Sequence, residues 1–382
     1  MVKRKIICVL LVAVLMLSAG CGKEITEETK TTAATEVITE ATTEATTEST
    51  TEATTTTSAK TDAISAVSIY PSKTVKYINN SFSYASYTGD YGLDTFLREG
   101  GAKNNDDLLV FFTQCIALGK VKLDFTLPGI GCSTIAVPSS EGGYYFGRNF
   151  DWNYCDTMIM VTKPSKGYKS ISTVNTSFLK VDGIELTEDM IRFCAIYSPL
   201  DGMNEKGLCI SVNMVNDGNA TIEQNTNKTD LTTSTAVRLL LDRAATVDEA
   251  VNLLKGYDMH ASYGYMIHFA ISDKSGKSVA VEYINNKLYV TETKVLTNFY
   301  VTEGSKYGIG SKESVTRYDM LNALIEETPA MSKEQVRDAL STVSKNSNEF
   351  KTTVWSVIYD QKNMTATYFW NGNFKKAYVV AL

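Results

Sequence analysis

The segment from residue 23 to residue 60 limits what this chain can fold into, because it cannot contribute to a hydrophobic core. It contains sixteen Thr and eight Glu residues, and it has no aromatic residue, no Gly and no Pro. A segment this poor in large apolar side chains and this rich in one sign of charge stays solvated. The sequence therefore predicts a disordered linker here and places the folded part of the chain in residues 61–382.

A targeting segment precedes this linker. A cationic start is followed by twelve apolar residues, 6–17, and small residues stand directly before Cys21. The apolar run is too short to span a bilayer comfortably and is typical of a signal peptide. The residues before Cys21 resemble the bacterial lipobox, whose cysteine is acylated and becomes the new N-terminus. We therefore predict a lipoprotein signal peptide over 1–20, with an ordinary secretory signal as the alternative.

Lipidation would attach the protein to a membrane. Residues 21–60 then comprise the lipidated cysteine and the Thr/Glu-rich linker. Two or three acyl chains anchor a protein stably where a single chain does not. The expected location is the extracytoplasmic face of a bacterial cell membrane, with Cys21 as the lipid anchor.

Charge and histidine content exclude several functions. The formal net charge is -6, and no basic block follows the first few residues, so nucleic acid is not an expected partner. The chain has two histidines, His260 and His268, and neither has a carboxylate at metal-ligand spacing. We therefore predict no metal and no cofactor, and we interpret His268 as a hydrogen-bonded histidine within a strand.

The first part of the folded chain has a mostly helical pattern. A helix is predicted over 105–118, ended by Gly119, and acidic residues in its first turn favour it. Residues 61–131 are therefore expected to form a helical pro-segment or N-terminal subunit. A β-hairpin follows, with strands over 133–137 and 144–148 that flank a turn of small and polar residues.

Strands and helices are mixed in the rest of the chain. Capping boxes are predicted where helices begin, at Thr246 with Glu249 and at Ser332 with Gln335. Further strands are predicted over 208–215, 265–272, 278–284, 288–291, 353–359 and 365–370. This arrangement favours an α+β fold with sheets and helices in layers.

Five cysteines lie outside the leader, and no two are closely spaced, so the sequence gives no disulfide framework. Cys115 and Cys209 lie in apolar runs and are expected to be buried. Cys132 follows a flexible turn and begins a strand. Taken alone, Cys132 too would be interpreted as a packing residue.

Several motifs around Cys132 change that interpretation. Arg148 follows it by sixteen residues and Asp151 by nineteen, on the returning strand of the hairpin. This spacing resembles the linear amide C–N hydrolases, which include choloylglycine hydrolase, penicillin V acylase, acid ceramidase and N-acylethanolamine acid amidase. The resemblance continues through residues 201–208 (DGMNEKGL), 296–298 (LTN), 314–318 (SVTRY) and 353–360 (TVWSVIYD).

The resemblance implies a fold and a reaction. It covers residues 132–382, which would form the catalytic domain of an N-terminal nucleophile hydrolase, a four-layer αββα sandwich. Such an enzyme hydrolyses a linear, non-peptide amide of a small N-acyl substrate through a thioester. The nucleophile is the first residue of its chain, so cleavage between Gly131 and Cys132 is expected. A free α-amine has a pKa of about 7.7–8.0 and can accept the thiol proton.

The resemblance also implies roles for individual residues. Cys132 attacks the carbonyl carbon and Asp151 orients the α-amine, while Arg148 favours the thiolate. Asn298 donates to the oxyanion, and Arg317 supports the site electrostatically. Each has a simpler alternative: Arg148 and Asp151 as a structural ion pair, Asn298 as a turn residue, and Arg317 as a cation on a helix surface.

One position departs from the family pattern. The family commonly places a second oxyanion donor after the Gly-Leu pair, and that position falls on Met214 when counted without a gap. A one-residue bulge would bring Asn213 into it instead. Two other functions stay open: acyl transfer to an amine, and a surface-binding lipoprotein that kept the fold and lost activity.

Overall fold

The computed structural model describes residues 64–116, 131–179, 186–218, 220–345 and 352–382. The predicted signal peptide, the lipidation site at Cys21 and the linker lie outside the described residues, as does the predicted helix end at Gly119. Across these five described ranges, no helix combines the length and the apolar character needed to cross a membrane.

A seven-stranded sheet carries Cys132. Neighbouring strands in it are antiparallel, except for the parallel pair at one edge, formed by the first and last strands of the described chain. Numbered along the chain and given in order across the sheet, its strands are β1 (Ser65–Ile69), β18 (Lys376–Ala381), β17 (Thr365–Trp370), β16 (Thr352–Asp360), β5 (Tyr144–Trp152), β4 (Gly131–Pro138) and β15 (Val295–Leu296).

A nine-stranded sheet packs against the first. Its strands, in order, are β14 (Lys287–Glu292), β13 (Ser278–Ile284), β12 (Ile267–Ser272), β9 (Cys209–Met214), β8 (Asp201–Asn204), β7 (Ser170–Asn175), β6 (Thr157–Lys163), β3 (Phe82–Thr88) and β2 (Lys76–Asn79). Only β3 and β6 pair in parallel. Two short strands, β10 (Asp230–Thr232) and β11 (Asp258–His260), form a separate pair. All strands predicted from the sequence are present.

The described helices are α1 (Leu93–Arg98), α2 (Asn105–Ile116), α3 (Glu188–Ile196), α4 (Thr233–Arg243), α5 (Val247–Lys255), α6 (Lys312–Glu327) and α7 (Lys333–Thr342). Ser332 and Gln335 form the predicted capping box at the start of α7. The box predicted for α5 is only half formed. Thr246 accepts from the Glu249 N–H, but the Glu249 carboxylate accepts from Ala245 instead of Thr246.

Three apolar clusters define the layers. One lies between the two sheets and includes Cys132, Phe150 and Trp355. A second joins the outer face of the nine-stranded sheet to α1–α5. The third joins the outer face of the seven-stranded sheet to α6 and α7. The order is therefore helices, sheet, sheet, helices, and the fold is α+β as predicted.

The prediction of a mostly helical pattern in the first part of the folded chain was wrong for residues 65–88. This stretch forms β1, β2 and β3, and it extends both large sheets. In β3 (FSYASYT) Phe82 and Tyr84 alternate with small residues over the first four positions, a period of two that suits a strand. The helix over 105–116 is present as α2. Its buried side chains belong to the apolar cluster between the nine-stranded sheet and α1–α5, and they are Leu108, Leu109, Phe111 and Phe112.

The predicted hairpin positions the motif residues. In the antiparallel β4–β5 pair, Cys132 lies opposite Phe150, Thr134 opposite Arg148, and Gly131 opposite Asp151. Successive side chains of a strand point to opposite faces. Arg148 therefore shares the inter-sheet face with Cys132, whereas Asp151 lies on the face covered by α6 and α7.

Candidate active site

Cys132 lies at the start of β4 with only 1% of its surface exposed. Its Sγ is 3.7 Å from Nη2 of Arg148. Burial raises the pKa of this thiol, and the Arg148 guanidinium opposes that rise. The arrangement therefore provides a buried thiol with one fixed cation beside it.

Arg148 is held rigidly at that position. Its Nη1 pairs with Oδ2 of Asp201 at 2.6 Å and also donates to the Leu200 carbonyl, while Nη2 donates to the Val212 carbonyl at 2.7 Å. Burial by itself lowers the pKa of Arg148, but Asp201 and Cys132 outweigh it, so the pKa is raised. The guanidinium stays charged next to the thiol.

Asp201 is the buried counterion of this arginine. Besides Arg148, it accepts from Trp355 Nε1 at 3.0 Å and from the Tyr359 hydroxyl at 2.6 Å. The ion pair between Arg148 and Asp201 is completely buried. The alternative of a structural ion pair between Arg148 and Asp151 is wrong, because Asp151 lies on the other face of the sheet.

We expect Asp201→Asn to lower the free energy of unfolding by about 3–5 kcal/mol, because it leaves the Arg148 charge buried without its partner. Chemical denaturation measures the loss. The matched control is Asp189→Asn, which breaks the 2.8 Å pair between Arg192 and Asp189, a side chain that is 85% exposed. That control should cost less than about 1 kcal/mol. Equal losses in the two variants would contradict the assigned role of Asp201.

Asp151 lies beside the peptide bond before Cys132. Its Oδ1 accepts from the Thr353 hydroxyl at 2.6 Å, whereas its buried Oδ2 has no hydrogen-bond partner and is 3.8 Å from Arg317 Nη1. Burial raises the pKa of the carboxyl, with Arg317 opposing. A Cβ on Gly131 would be 2.7 Å from that Oδ2, so only glycine fits at position 131 without displacing the carboxylate.

Arg317 and Asn298 hold the backbone of Cys132. Arg317 donates to the Cys132 carbonyl at 2.6 Å and to Asn298 Oδ1 at 2.8 Å. The same Oδ1 accepts from the Cys132 N–H at 2.7 Å, and Asn298 Nδ2 donates to the Met214 carbonyl at 2.7 Å. Arg317 is buried, so its interpretation as a surface cation is wrong.

Asn213 does not join this group. Its Nδ2 donates to the Leu296 carbonyl at 3.2 Å and its Oδ1 accepts from the Ser211 hydroxyl. The β9–β12 pairing runs without a register shift, so the bulge that would move Asn213 into place is not formed. Met214 lines the pocket beside Cys132 instead, as the ungapped count implies.

A pocket opens beside the thiol. Its walls are mainly apolar and aromatic, and no charged residue lines it. The lining residues are Cys132, Phe150, Trp152, Phe178, Ser198, Leu200, Val212, Met214, Thr233, Ser234, Ser262, Tyr263, Tyr265 and Ile267. Such a pocket is suited to an apolar organic group attached to a carbonyl that Cys132 can reach.

Neither histidine contacts the thiol. His268 is buried in β12, with Nδ1 2.7 Å from Glu282 Oε1 and Nε2 2.9 Å from the Thr297 carbonyl, which confirms its interpretation as a hydrogen-bonded strand histidine. His260 pairs with Asp230. Among the residues that the structure describes, no group of three or more His, Cys, Asp or Glu side chains is arranged to hold a metal ion.

The remaining cysteines are separate from the site's chemistry. Cys209 is buried as predicted, but Cys115 is exposed, so that prediction was wrong. Cys115 lies on the side of α2 that faces away from the core, because Phe111 and Phe112 take the buried positions. None of the five cysteines in the described residues forms a disulfide bond.

Comparison with protein families identifies residues 132–323 as a match to the linear amide C–N hydrolases, choloylglycine hydrolase family. The match covers half of the chain. The chain belongs to this family. The predicted family resemblance is thereby confirmed, and the match begins at Cys132.

Individual known proteins are also similar to this chain. The bile salt hydrolase/transferase of Clostridium perfringens (strain 13 / Type A) is 30% identical over 176 residues, which are 44% of this chain and 53% of that protein. The chain thus spans about half the length of this relative. A solved variant of the conjugated bile acid hydrolase from the same species matches with a TM-score of 0.50 and 16% identity, over 63% of this chain and 89% of the other.

A penicillin V acylase structure from Agrobacterium tumefaciens also matches, with a TM-score of 0.45 and 19% identity. The matched region covers 63% of this chain and 83% of the acylase chain.

The family motifs also contain residues whose roles the sequence alone does not assign. Asp201 begins the 201–208 motif, Thr353 begins the 353–360 motif, and Ser314 begins the 314–318 motif. In the structure these three side chains hold Arg148, Asp151 and the backbone of Asn298, respectively. They are positioning residues around the candidate active site.

Proposed function

We propose that this protein hydrolyses a linear, non-peptide amide of a small N-acyl substrate, with Cys132 as the nucleophile and a thioester intermediate. The observation that carries the proposal is the position of the Cys132 thiol. It lies in the wall of an apolar pocket, beside one buried guanidinium and away from both histidines. The acyl group would occupy the pocket, and the amine would leave toward solvent.

The base in this proposal is the α-amine of Cys132, released by cleavage between Gly131 and Cys132. In the uncut chain that nitrogen is an amide, which is not basic. Oδ2 of Asp151 supports the scheme, because it has no hydrogen-bond partner and a new ammonium group beside it would donate a hydrogen bond to it. Arg148 would stabilise the thiolate after the amine takes its proton.

Stabilisation of the oxyanion is assigned to Asn298. One hydrogen of its Nδ2 is donated to Met214, and within the described residues the other has no acceptor. That second hydrogen is available to a developing oxyanion. Arg317 would keep the amide in this orientation by holding Oδ1. Asn213 has a weaker claim as a second donor, because Asn298 is hydrogen-bonded to the Cys132 backbone and Asn213 is bonded to Leu296 and Ser211 instead.

Acyl transfer is the second candidate reaction. The thioester could pass its acyl group to an amine in place of water, and the Clostridium perfringens relative carries both hydrolase and transferase in its name. A third possibility is an inactive surface-binding lipoprotein. The conjunction of buried Cys132, Arg148, Asp201 and Asn298 favours an enzyme, because binding alone does not require a nucleophile with a fixed cation.

We further propose that lipidated Cys21 tethers the enzyme to the outer face of a bacterial membrane. Metabolic labelling with a fatty acid should mark the protein, and Cys21→Ala should remove the label.

A substrate panel tests the proposed function. We expect purified, processed protein to release free acid and amine from at least one class among bile-salt conjugates, phenoxyacetyl penicillins, N-acyl amines and N-acyl amino acids. Mass spectrometry of both products separates hydrolysis from transfer, because transfer to an added amine yields a new amide. Absence of turnover across the panel by fully processed protein would support the binding lipoprotein instead.

A further inference from the structure

A buried pair of ionisable side chains lies next to the segment that carries Asn298, and the proposed reaction does not use it. His268 on β12 and Glu282 on the neighbouring strand β13 are both completely buried. Nδ1 of His268 is 2.7 Å from Oε1 of Glu282. Burial of such groups is costly unless they are paired and hydrogen-bonded, so the contacts around the pair indicate what it does.

The hydrogen bonds of His268 determine its charge. Nε2 is 2.9 Å from the Thr297 carbonyl oxygen, which can only accept, and Nδ1 faces the Glu282 carboxylate. A neutral imidazole has a single N–H and could donate to only one of these two oxygens. Both bonds are formed at once when the ring carries both protons and Glu282 is ionised.

Glu282 is surrounded by hydrogen-bond donors. Besides His268, its Oε1 accepts from the Val301 N–H at 3.1 Å, and its Oε2 accepts from the Thr302 N–H at 2.7 Å. Burial by itself raises the pKa of this carboxyl, but these hydrogen bonds and the charge of His268 outweigh it, so the pKa is lowered. A buried ion pair is favourable when further hydrogen bonds satisfy both partners, as they do here.

The pair holds the chain on both sides of Asn298. His268 donates to the carbonyl of Thr297, which precedes Asn298, and Glu282 accepts from the N–H groups of residues 301–302, which follow it. One buried ion pair thus fixes the two ends of the short segment that contains the proposed oxyanion donor.

Asn213 supports the same attachment from the next strand. It lies opposite His268 in the β9–β12 pairing, and its Nδ2 donates to the Leu296 carbonyl at 3.2 Å. Two side chains of the nine-stranded sheet therefore hold the consecutive carbonyls of Leu296 and Thr297. Because β15 belongs to the seven-stranded sheet, these bonds connect the two sheets directly before Asn298.

We propose that His268 is an imidazolium ion whose buried ion pair with Glu282 positions Asn298 to stabilise the oxyanion. This inference rests on the proposed amide hydrolysis. His268 acts through the backbone of residues 297–302 and is a positioning residue, since it does not line the pocket. A displaced Asn298 amide would weaken binding of the transition state more than binding of the substrate, so the effect should fall on kcat.

His268→Gln tests the positioning role, and His260→Gln is its matched control, because the chain has these two histidines. His260 is also buried and also pairs with a carboxylate, that of Asp230 at 2.8 Å, but it does not line the pocket. We expect His268→Gln to lower kcat by about 10- to 100-fold and to keep KM within about twofold of the wild-type value. His260→Gln should keep both constants.

Equal kcat values for wild-type protein and folded His268→Gln would overturn the positioning role. If His268→Gln does not fold, Glu282→Gln takes its place. That variant removes the negative charge and one of the two equivalent acceptor oxygens, so it should show the same loss of kcat.

Nitrogen NMR of protein that contains isotope-labelled histidine tests the charge without requiring turnover. The spectrum of His260→Gln identifies the signals of His268. At about pH 7.5, where an unpaired histidine is mostly neutral, we expect both ring nitrogens of His268 to carry a proton. A neutral ring would overturn the ion pair.

The side-chain amide signal of Asn298 separates this inference from the proposed function. Its loss in Asn298→Ala identifies it, and it should shift in His268→Gln but not in His260→Gln. This result in a protein that cleaves no amide of the panel would support the positioning of Asn298 and reject the hydrolase. An unchanged Asn298 signal in His268→Gln, with wild-type protein that does cleave an amide, would overturn the positioning and leave the hydrolase intact.

Discussion

Replacement of Cys132 by alanine should lower the turnover of every amide substrate by at least about 1,000-fold, since the proposed nucleophile and the proposed base belong to the same residue. The change removes a single buried sulfur from the core between the sheets, so the fold should survive it. Steady-state kinetics on a substrate found with the panel measures the effect, and thermal unfolding verifies that the variant is folded.

Cys115→Ala is the matched control for that experiment. Cys115 is exposed on α2 and does not line the pocket, so its loss should leave kcat/KM unchanged. Turnover that persists in Cys132→Ala would remove the nucleophile assignment. A loss of turnover in Cys115→Ala would indicate that thiol substitution acts through the fold rather than through the chemistry.

Cleavage between Gly131 and Cys132 should produce a fragment that begins Cys-Ser-Thr-Ile-Ala. In an N-to-S acyl shift, the Cys132 sulfur bonds to the Gly131 carbonyl carbon while the carbon–nitrogen bond breaks and the nitrogen takes up a proton. Water then releases the Gly131 carboxylate and restores the thiol. Denaturing electrophoresis with N-terminal sequencing detects the fragment, which should be absent in Cys132→Ala.

Gly131→Ala should slow this cleavage strongly, because its Cβ would lie 2.7 Å from Asp151 Oδ2 and 2.9 Å from Lys345 Nζ. Gly218→Ala is the matched control, since nothing lies within 4 Å of a Cβ at that position. An active protein that remains one uncut chain would reject both the maturation scheme and the α-amine as base.

The two pieces should stay together after cleavage. The N-terminal piece supplies β1 to one sheet and β2 and β3 to the other. It also buries Leu108, Leu109, Phe111 and Phe112, and each such side chain contributes roughly 1.5–3 kcal/mol. Both pieces are therefore expected to co-elute on size exclusion under native conditions.

Local patterns were sufficient to predict much of this molecule. The hairpin that carries Cys132 has alternating residues and a turn of small residues, and both signals are contained in a short stretch of sequence. The family spacing from Cys132 to Arg148 and Asp151 is equally local, because both strands belong to that hairpin. These features need no knowledge of the remaining chain.

Features that depend on distant partners were not predictable. The counterion of Arg148 is Asp201, which reaches it from the other sheet, and nothing in the hairpin identifies that carboxylate. The strand β1 forms by pairing with β18 from the other end of the described chain. The exposure of Cys115 depends on which side of α2 faces its neighbours, and the position of Asn213 depends on a regular β9–β12 register.

The pairing of β1 with β18 also bears on how this protein avoids aggregation. If the segment before Cys132 were absent during folding, β18 would become an open sheet edge, and β6 would lose its partner β3 in the other sheet. Unpaired edges invite strand addition from further copies. A polypeptide begun at Cys132 would thus tend to polymerise edge to edge. The segment before Cys132 covers these edges, and after the proposed cleavage it would have to stay bound to keep them covered.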